Sequence, residues 1–437
     1  MQATASTAVL EQQGRHTLWT TGLNVMLGLL LSVVVSRTLG PEGRGVLDLA
    51  SATASLFALV LSGSLNASLT HIVARRDATP SGLVGQLAVW GIAGGALTAG
   101  VLALRPEVFR FLGLLPTGDT AFWIGYVAFT VALGIWAAGI RGILIGRHAL
   151  IAANRIDLFV KAALLAGYAW VGFTTVSKPE RFAVVAVGSA ALLPLALVWR
   201  LRGPTVSVPG IWRLLLVTAL PVHGTNVLHF INQRADLFFV QAFQGEAEVG
   251  IYTLAVSLAQ FVLFLSSALA LPLLPQVSAA VTPEAAADAA ARICRLYVAM
   301  GLVACIAVAA GATWLVPLVF GRDFSRSIPS LLFLLPGMIA FGITNILISY
   351  FVGINRSGVN FGISVISLLM TLVGNVCLTR FLGAAGAALT STCAYGIAGA
   401  LSVYVFARQS GFGLARIIFP APPDWRSAVG VVSRVRL

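Results

Sequence analysis

Charge is scarce in this sequence. Only 10% of its 437 residues are Asp, Glu, Lys or Arg, against 58% that are hydrophobic, and a water-soluble domain does not cover its surface with so few charges. The chain is therefore expected to be a polytopic membrane protein. Lysine is almost missing as well: 26 of the 28 cations are arginines, scattered at the ends of apolar runs. Without basic blocks or interleaved surface aromatics, the net charge of +13 excludes nucleic acid as the expected partner. The four cysteines, Cys294, Cys305, Cys377 and Cys393, have neither Cys-x-x-Cys nor Cys/His metal spacing and read as packed thiols. No His-x-x-x-His pair, no nucleophile beside a base and no phosphate loop ending in Lys-Ser/Thr occurs, so an enzyme, a cofactor and a metal site are not expected. Residues 1–16 lack the short apolar core and small-residue cleavage site of a secretory signal, which makes the first span a permanent anchor.

What the sequence does have is long apolar runs. Twelve reach the ~20 residues that a helix needs to cross about 30 Å of hydrocarbon: 17–38, 46–73, 82–104, 121–145, 156–176 and 182–200, then 214–243, 249–280, 296–320, 329–353, 358–379 and 385–407. Placing the N-terminus in the cytoplasm puts most cations on the inner side, including Arg75, Arg76, Arg147 and Arg155, while Glu42, Glu107, Asp119 and Glu246 lie outside. The even number of spans leaves both termini cytoplasmic.

The chain also repeats. Gly40-Pro-Glu-Gly-Arg-Gly45-Val-Leu-Asp-Leu-Ala50 is echoed about 205 residues later by Gly245-Glu-Ala-Glu-Val-Gly250-Ile-Tyr-Thr-Leu-Ala255. Gly146-Arg147 ends the fourth span as Asn355-Arg356 ends the tenth. Six spans per half make this a parallel repeat about an axis along the membrane normal. The expected fold is thus an all-α integral membrane protein of two six-helix bundles: 1–200, a cytoplasmic linker 201–213 flanked by Trp199 and Trp212, a second bundle 214–408, and a basic cytoplasmic tail 409–437 lying along the inner headgroups.

Ionisable residues inside spans are functional candidates. Arg234 and Asp236 sit in the seventh span, about 200° apart on a helix, so each needs a partner elsewhere. Asn226, His229 and Asn232 form a polar stripe on the same helix. With Arg234 and with Arg141 and Arg147 of the fourth span, they are the candidates for binding an anion, because a guanidinium takes a phosphate bidentately. Asp236 is the candidate for ion coupling and Asp48 the lesser one, since Asp48 could equally cap a helix. Asp157 and Lys161, at i and i+4, read as a helix-surface pair; His71, Arg75 and Arg76 read as anchors at the inner headgroups. The glycines of the third span, Gly91, Gly94, Gly95 and Gly100, and Pro272, Pro275, Pro336 and Gly337 read either as close packing or as hinges along a transport path.

Leu39-Gly-Pro-Glu-Gly-Arg-Gly-Val46, Val249-Gly-Ile-Tyr-Thr-Leu-Ala255, Leu271-Pro-Leu-Leu-Pro275 and the two sets of six spans resemble the Wzx-type polysaccharide flippases of the multidrug/oligosaccharidyl-lipid/polysaccharide exporter superfamily. The resemblance covers nearly the whole chain. It implies a V-shaped, alternating-access pair of bundles in the bacterial plasma membrane that moves an undecaprenyl-pyrophosphate-linked oligosaccharide outward, beside membrane lipids, a polysaccharide polymerase and other export machinery. Lipid II flippases, to which the chain is less similar, carry arginines in the first span, which here runs apolar from Gly22 to Val35 apart from Asn24 and Ser32. A cation-coupled multidrug extruder of the same superfamily is the alternative, and a polytopic polysaccharide polymerase or ligase a third reading. The longest outer loop, Arg105 to Thr120, is short for such an enzyme and has no histidine.

Overall fold

Among the described residues, the expected apolar runs are helical over nearly all of their length. The computed structural model describes residues 2–63, 65–74, 80–147, 149–174, 178–200, 211–270 and 273–419. Its helices are α1 (Gln2–Ser62), α2 (Leu65–Ala74), α3 (Pro80–Leu104), α4 (Pro106–Phe111), α5 (Thr120–Gly146), α6 (Leu150–Thr174), α7 (Pro179–Arg200), α8 (Ile211–Gln244), α9 (Glu246–Ala270), α10 (Leu273–Ser278), α11 (Pro283–Val319), α12 (Ser327–Gly353), α13 (Ser357–Gly374), α14 (Arg380–Ser410) and α15 (Leu414–Ile418). Among the described residues, eight helical stretches are long and apolar enough to cross a membrane. Two of them, 22–62 and 358–410, are each broken by a glycine, Gly40 and Gly383. Helices α7 and α8 cover the sixth and seventh expected spans. Proline begins α3, α4, α7 and α11, where its missing N–H leaves no bond unmade and its φ suits the first turn.

The chain divides into two compact units, 1–234 with 245–250, and 235–244 with 251–437. The boundary therefore runs through α8, between Arg234 and Ala235. The linker expected at 201–213 lies outside the described residues up to Gly210, as do Arg75, Arg76, Pro272, the side chains of His71, Trp199 and Trp212, and the tail beyond residue 419.

In the first unit, Trp123, Leu69, Leu87, Val127, Val131 and Phe182 make a fully buried core. Helices α3 and α5 meet through glycine: a Cβ on Gly91 would fall 2.5 Å from the Ala132 carbonyl oxygen, and one on Gly95 2.7 Å from that of Ala128. Gly94 packs against Ile135, whereas Gly100 meets nothing within 4 Å. Three of the four glycines of this span thus serve close helix packing. The short α4 lies within the segment Arg105 to Thr120, and Asp119 caps α5 by accepting from the N–H groups of Ala121 and Phe122.

In the second unit, alanines of α11 (Ala286, Ala287, Ala290, Ala291) let it lie close to its neighbours around Phe351, Phe406 and Tyr297. The Tyr297 hydroxyl donates to the Met338 carbonyl (2.9 Å), and its ring fills the space where Gly342 has no side chain. Gly337, beside Pro336, makes the same kind of close contact with Thr392. Helix α15 seats Ile417 fully buried, and Arg416 pairs with Asp288 of α11 (2.7 Å).

The repeat motif explains the strongest constraint. Gly40 (φ 66°) and Gly245 (φ 84°) both adopt a left-handed backbone that L side chains avoid, and each turns the chain into a new helix. Five residues on, the two first turns touch. A Cβ on Gly45 would lie 1.7 Å from the Glu246 carbonyl oxygen, and one on Gly250 1.9 Å from that of Pro41. Glu246, at the start of α9, also accepts hydrogen bonds from the Thr117 backbone N–H and hydroxyl. Because only backbone stands opposite, no side chain can move aside to make room. Gly45→Ala and Gly250→Ala are each expected to destabilise the folded protein by about 3 kcal/mol or more, while Gly100→Ala, which meets open space, stays within about 0.5 kcal/mol of wild type. Thermal unfolding in detergent checks this, and a Gly45→Ala protein as stable as wild type would refute it.

Candidate functional site

Helices α1, α5, α6 and α7 of the first unit surround a cavity of about 580 Å³. Its walls carry Leu133, Val160, Ala137 and Ala190, and its polar groups are Thr20, Asn24, Thr130, Arg141, Asn154, Asp157 and Lys161. Arg141 Nη1 donates to Asp157 Oδ2 across the α5–α6 packing. The two side chains remain 42% and 30% exposed, so neither is closed off. Lys161 Nζ donates to the Asn24 backbone carbonyl of α1 (3.3 Å), and Asn24 Nδ2 to that of Thr20 (3.0 Å). A second, smaller cavity of about 140 Å³ is also lined by Arg141 and Asp157. Two cations and one anion leave the lining of the larger cavity with one net positive charge. In apolar surroundings that charge acts more strongly than in water, so the arrangement suits an anion.

This differs from the expected Asp157–Lys161 pair. Four residues apart on α6, the two are close enough to pair, but the Arg141 guanidinium on the next helix gives Asp157 a stronger charge-assisted partner, and the carbonyl on α1 satisfies Lys161. Lys161, Asn24 and Asn154 were not among the residues the sequence singled out for binding. Asn24 had shown as a rare polar residue in an apolar span, and Lys161 as one of two lysines in the chain.

The other anion candidates are not brought to this cavity. Arg147 forms the C-cap of α5 and is exposed. On α8, Asn226 is exposed, His229 is half-buried and bonded to Gln233 (2.6 Å), Asn232 is buried, and Arg234 is half-buried. The α8 stripe exists as a helical face, but none of its residues lines the α1/α5/α6/α7 cavity.

Asp48 has a partner that the sequence hid. Arg44, expected in an outer loop, is 3% exposed. Its Nε donates to Asp48 Oδ2 (3.2 Å), and its Nη1 to the Ser32 hydroxyl (2.8 Å), the Ser32 carbonyl (3.3 Å) and the Ser36 hydroxyl. One guanidinium thus ties the part of α1 before Gly40 to the part after it. Asp48 lies within this helix rather than at its cap, and its charge is compensated.

In the second unit, Asp236 is 3% exposed. Its Oδ2 accepts from the hydroxyls of Tyr252 and Ser391 (the latter at 3.1 Å), and its Oδ1 from the Leu237 N–H (2.8 Å). Ser391 neighbours Thr390, whose side chain packs against Gly374 at the start of a wide helical turn, Asn375–Thr379. In that turn Asn375 Nδ2 donates to the Thr371 carbonyl (2.8 Å) and Thr379 Oγ1 to Asn375 Oδ1 (2.7 Å), all three residues being fully buried. Sequence reading found Asp236 but not Tyr252, Ser391 or this seam. The signal available was Tyr252 inside the repeated motif and the serine and threonine spacing of the last two spans.

Residues 150–329 match the family model described as Polysaccharide biosynthesis protein. No curated protein sequence matches the chain. Among solved structures, it is similar to the inward-facing conformation of a multidrug resistance MATE family transporter of the MOP superfamily, with 15% identity over 89% of this chain and 94% of that one, at a TM-score of 0.71. It is also similar to the lipid II flippase MurJ in an inward closed conformation, with 12% identity over 95% and 90% and a TM-score of 0.74. The Vibrio cholerae MATE transporter VcmN, as a mutant, is 18% identical over 94% and 99%, at 0.63. The chain is an all-helical, multi-pass membrane protein with the fold of the MOP superfamily transporters.

Proposed function

We propose that this protein is a transporter, not an enzyme, that flips undecaprenyl-pyrophosphate-linked oligosaccharide from the inner to the outer leaflet of a bacterial plasma membrane. The observation that carries this reading is Arg141, held half-exposed in a polar cavity within an apolar helical unit. A guanidinium there suits a diphosphate, whose two charges need donors that lipid cannot supply. The family match supports a polysaccharide cargo. In this reading a polysaccharide polymerase receives the cargo outside, both termini are cytoplasmic, and Arg234 with the Asn226/His229/Asn232 stripe contacts the cargo during its passage. Reporter fusions at residues 42 and 247 should both read as extracytoplasmic; a cytoplasmic signal at 247 would overturn the orientation.

Export carries the functional test. In a deletion strain, Arg141→Ala is expected to lower polymer export by about tenfold or more at unchanged membrane abundance, and Arg141→Lys, which keeps charge but loses the fork, by less. Arg234→Ala is expected to have the smaller effect of the two alanine variants. Full export by the Arg141→Ala strain removes the cavity from the mechanism.

Transport is coupled, in the same proposal, to a proton carried by Asp236. Its Tyr252 and Ser391 partners are hydroxyls, which donate to a carboxylate and can also turn to accept from a carboxylic acid, so both states keep a bonded partner. Asp236→Asn preserves shape without ionising. Reconstituted in proteoliposomes, it is expected to bind cargo yet show no acceleration of flipping by an inward proton gradient. A stable variant that still responds to the gradient ends this assignment.

A further inference from the structure

The charged groups lining the first unit's cavity are Arg141, Asp157 and Lys161. Arg141 is the group that an anion would seek, yet one of its N–H donors is already committed to Asp157. An incoming anion must therefore compete with a carboxylate that is tethered beside the guanidinium, and a tethered competitor acts at an effective concentration on the order of millimolar or above. A singly charged anion offers Arg141 little more than Asp157 does. A diphosphate offers two charges and several acceptor oxygens to the five guanidinium donors, and so gains more from the exchange. The displaced carboxylate also has somewhere to go. Lys161 lies one helical turn further along α6, within pairing distance at i+4, and its ammonium now rests on a neutral acceptor, the Asn24 carbonyl of α1.

We propose that Asp157 is a displaceable internal counter-anion that sets the affinity at which the Arg141 site fills, so that a diphosphate occupies it at concentrations that leave a monoanion unbound, with Lys161 receiving Asp157 once Arg141 is occupied. This rests on reading the cavity as an anion site. It makes Asp157 a residue that opposes anion binding, and it links an occupied Arg141 to release of the Lys161 contact that joins α6 to α1.

Equilibrium binding of inorganic pyrophosphate and of dimethyl phosphate, a monoanion, to the purified full chain tests the proposal. Wild type should prefer pyrophosphate. Asp157→Asn should bind each of the two anions about fivefold more tightly, the scale of a half-exposed ion pair; Asp157→Ala serves the same purpose should the asparagine variant not fold. Lys161→Gln should weaken pyrophosphate binding in the wild-type background and leave it unchanged in the Asp157→Asn background. Unchanged affinity for both anions in both Asp157 variants overturns the proposal while leaving the anion site intact, as does an equal loss from Lys161→Gln in both backgrounds. If neither anion binds wild type or either Asp157 variant, the anion site itself is wrong.

Discussion

The constraint on which the first unit depends is a contact between two backbones. Gly45 and Gly250 stand where the first turns of two helices meet, and a single methyl on either would overlap a carbonyl oxygen of the other strand of chain. Gly40 and Gly245 turn the chain into those helices, so four glycines of one repeated motif act together: two change direction and two permit approach. Arg44 and Glu246 then fix the result. The guanidinium joins α1 across its own break, and the carboxylate joins the start of α9 to the loop between α4 and α5. In an apolar environment, where a polar atom without a partner is costly, these bonds hold because every alternative leaves a donor or an acceptor without one.

The charged groups fall into two kinds. Arg44 and Asp236 are nearly inaccessible and are met by several hydrogen-bonding partners; they belong to packed seams. Arg141, Asp157 and Lys161 are only partly enclosed and line open volume. Burial alone does not separate structural charge from functional charge here. What separates them is whether donors remain that a ligand could use; on this criterion the first unit's cavity is the one that the proposed function assigns to cargo, while the Arg44 cluster is a clamp. Asp236 stands between the two cases: two of its partners, Tyr252 and Ser391, are hydroxyls, which can exchange donor and acceptor roles in a way an arginine partner cannot.

The sequence by itself determined the all-helical membrane class and the repeated glycine motif, because hydropathy over about 20 residues and a left-handed glycine are local properties that need no knowledge of neighbours. It also singled out Asp236 and Arg141, since an ionisable residue in an apolar run is conspicuous wherever it packs. Which partner each charge takes was decided by tertiary structure alone. Asp157 is four residues from Lys161 in the chain but bonds Arg141 on the next helix; Asp236 finds Ser391, 155 residues away. Arg44 reads as a loop residue until the Gly40 turn lays one part of α1 along the other and buries it. Spacing along one helix defines which groups could meet, and the packing of helices against one another, set by the glycines at their contacts, defines which do.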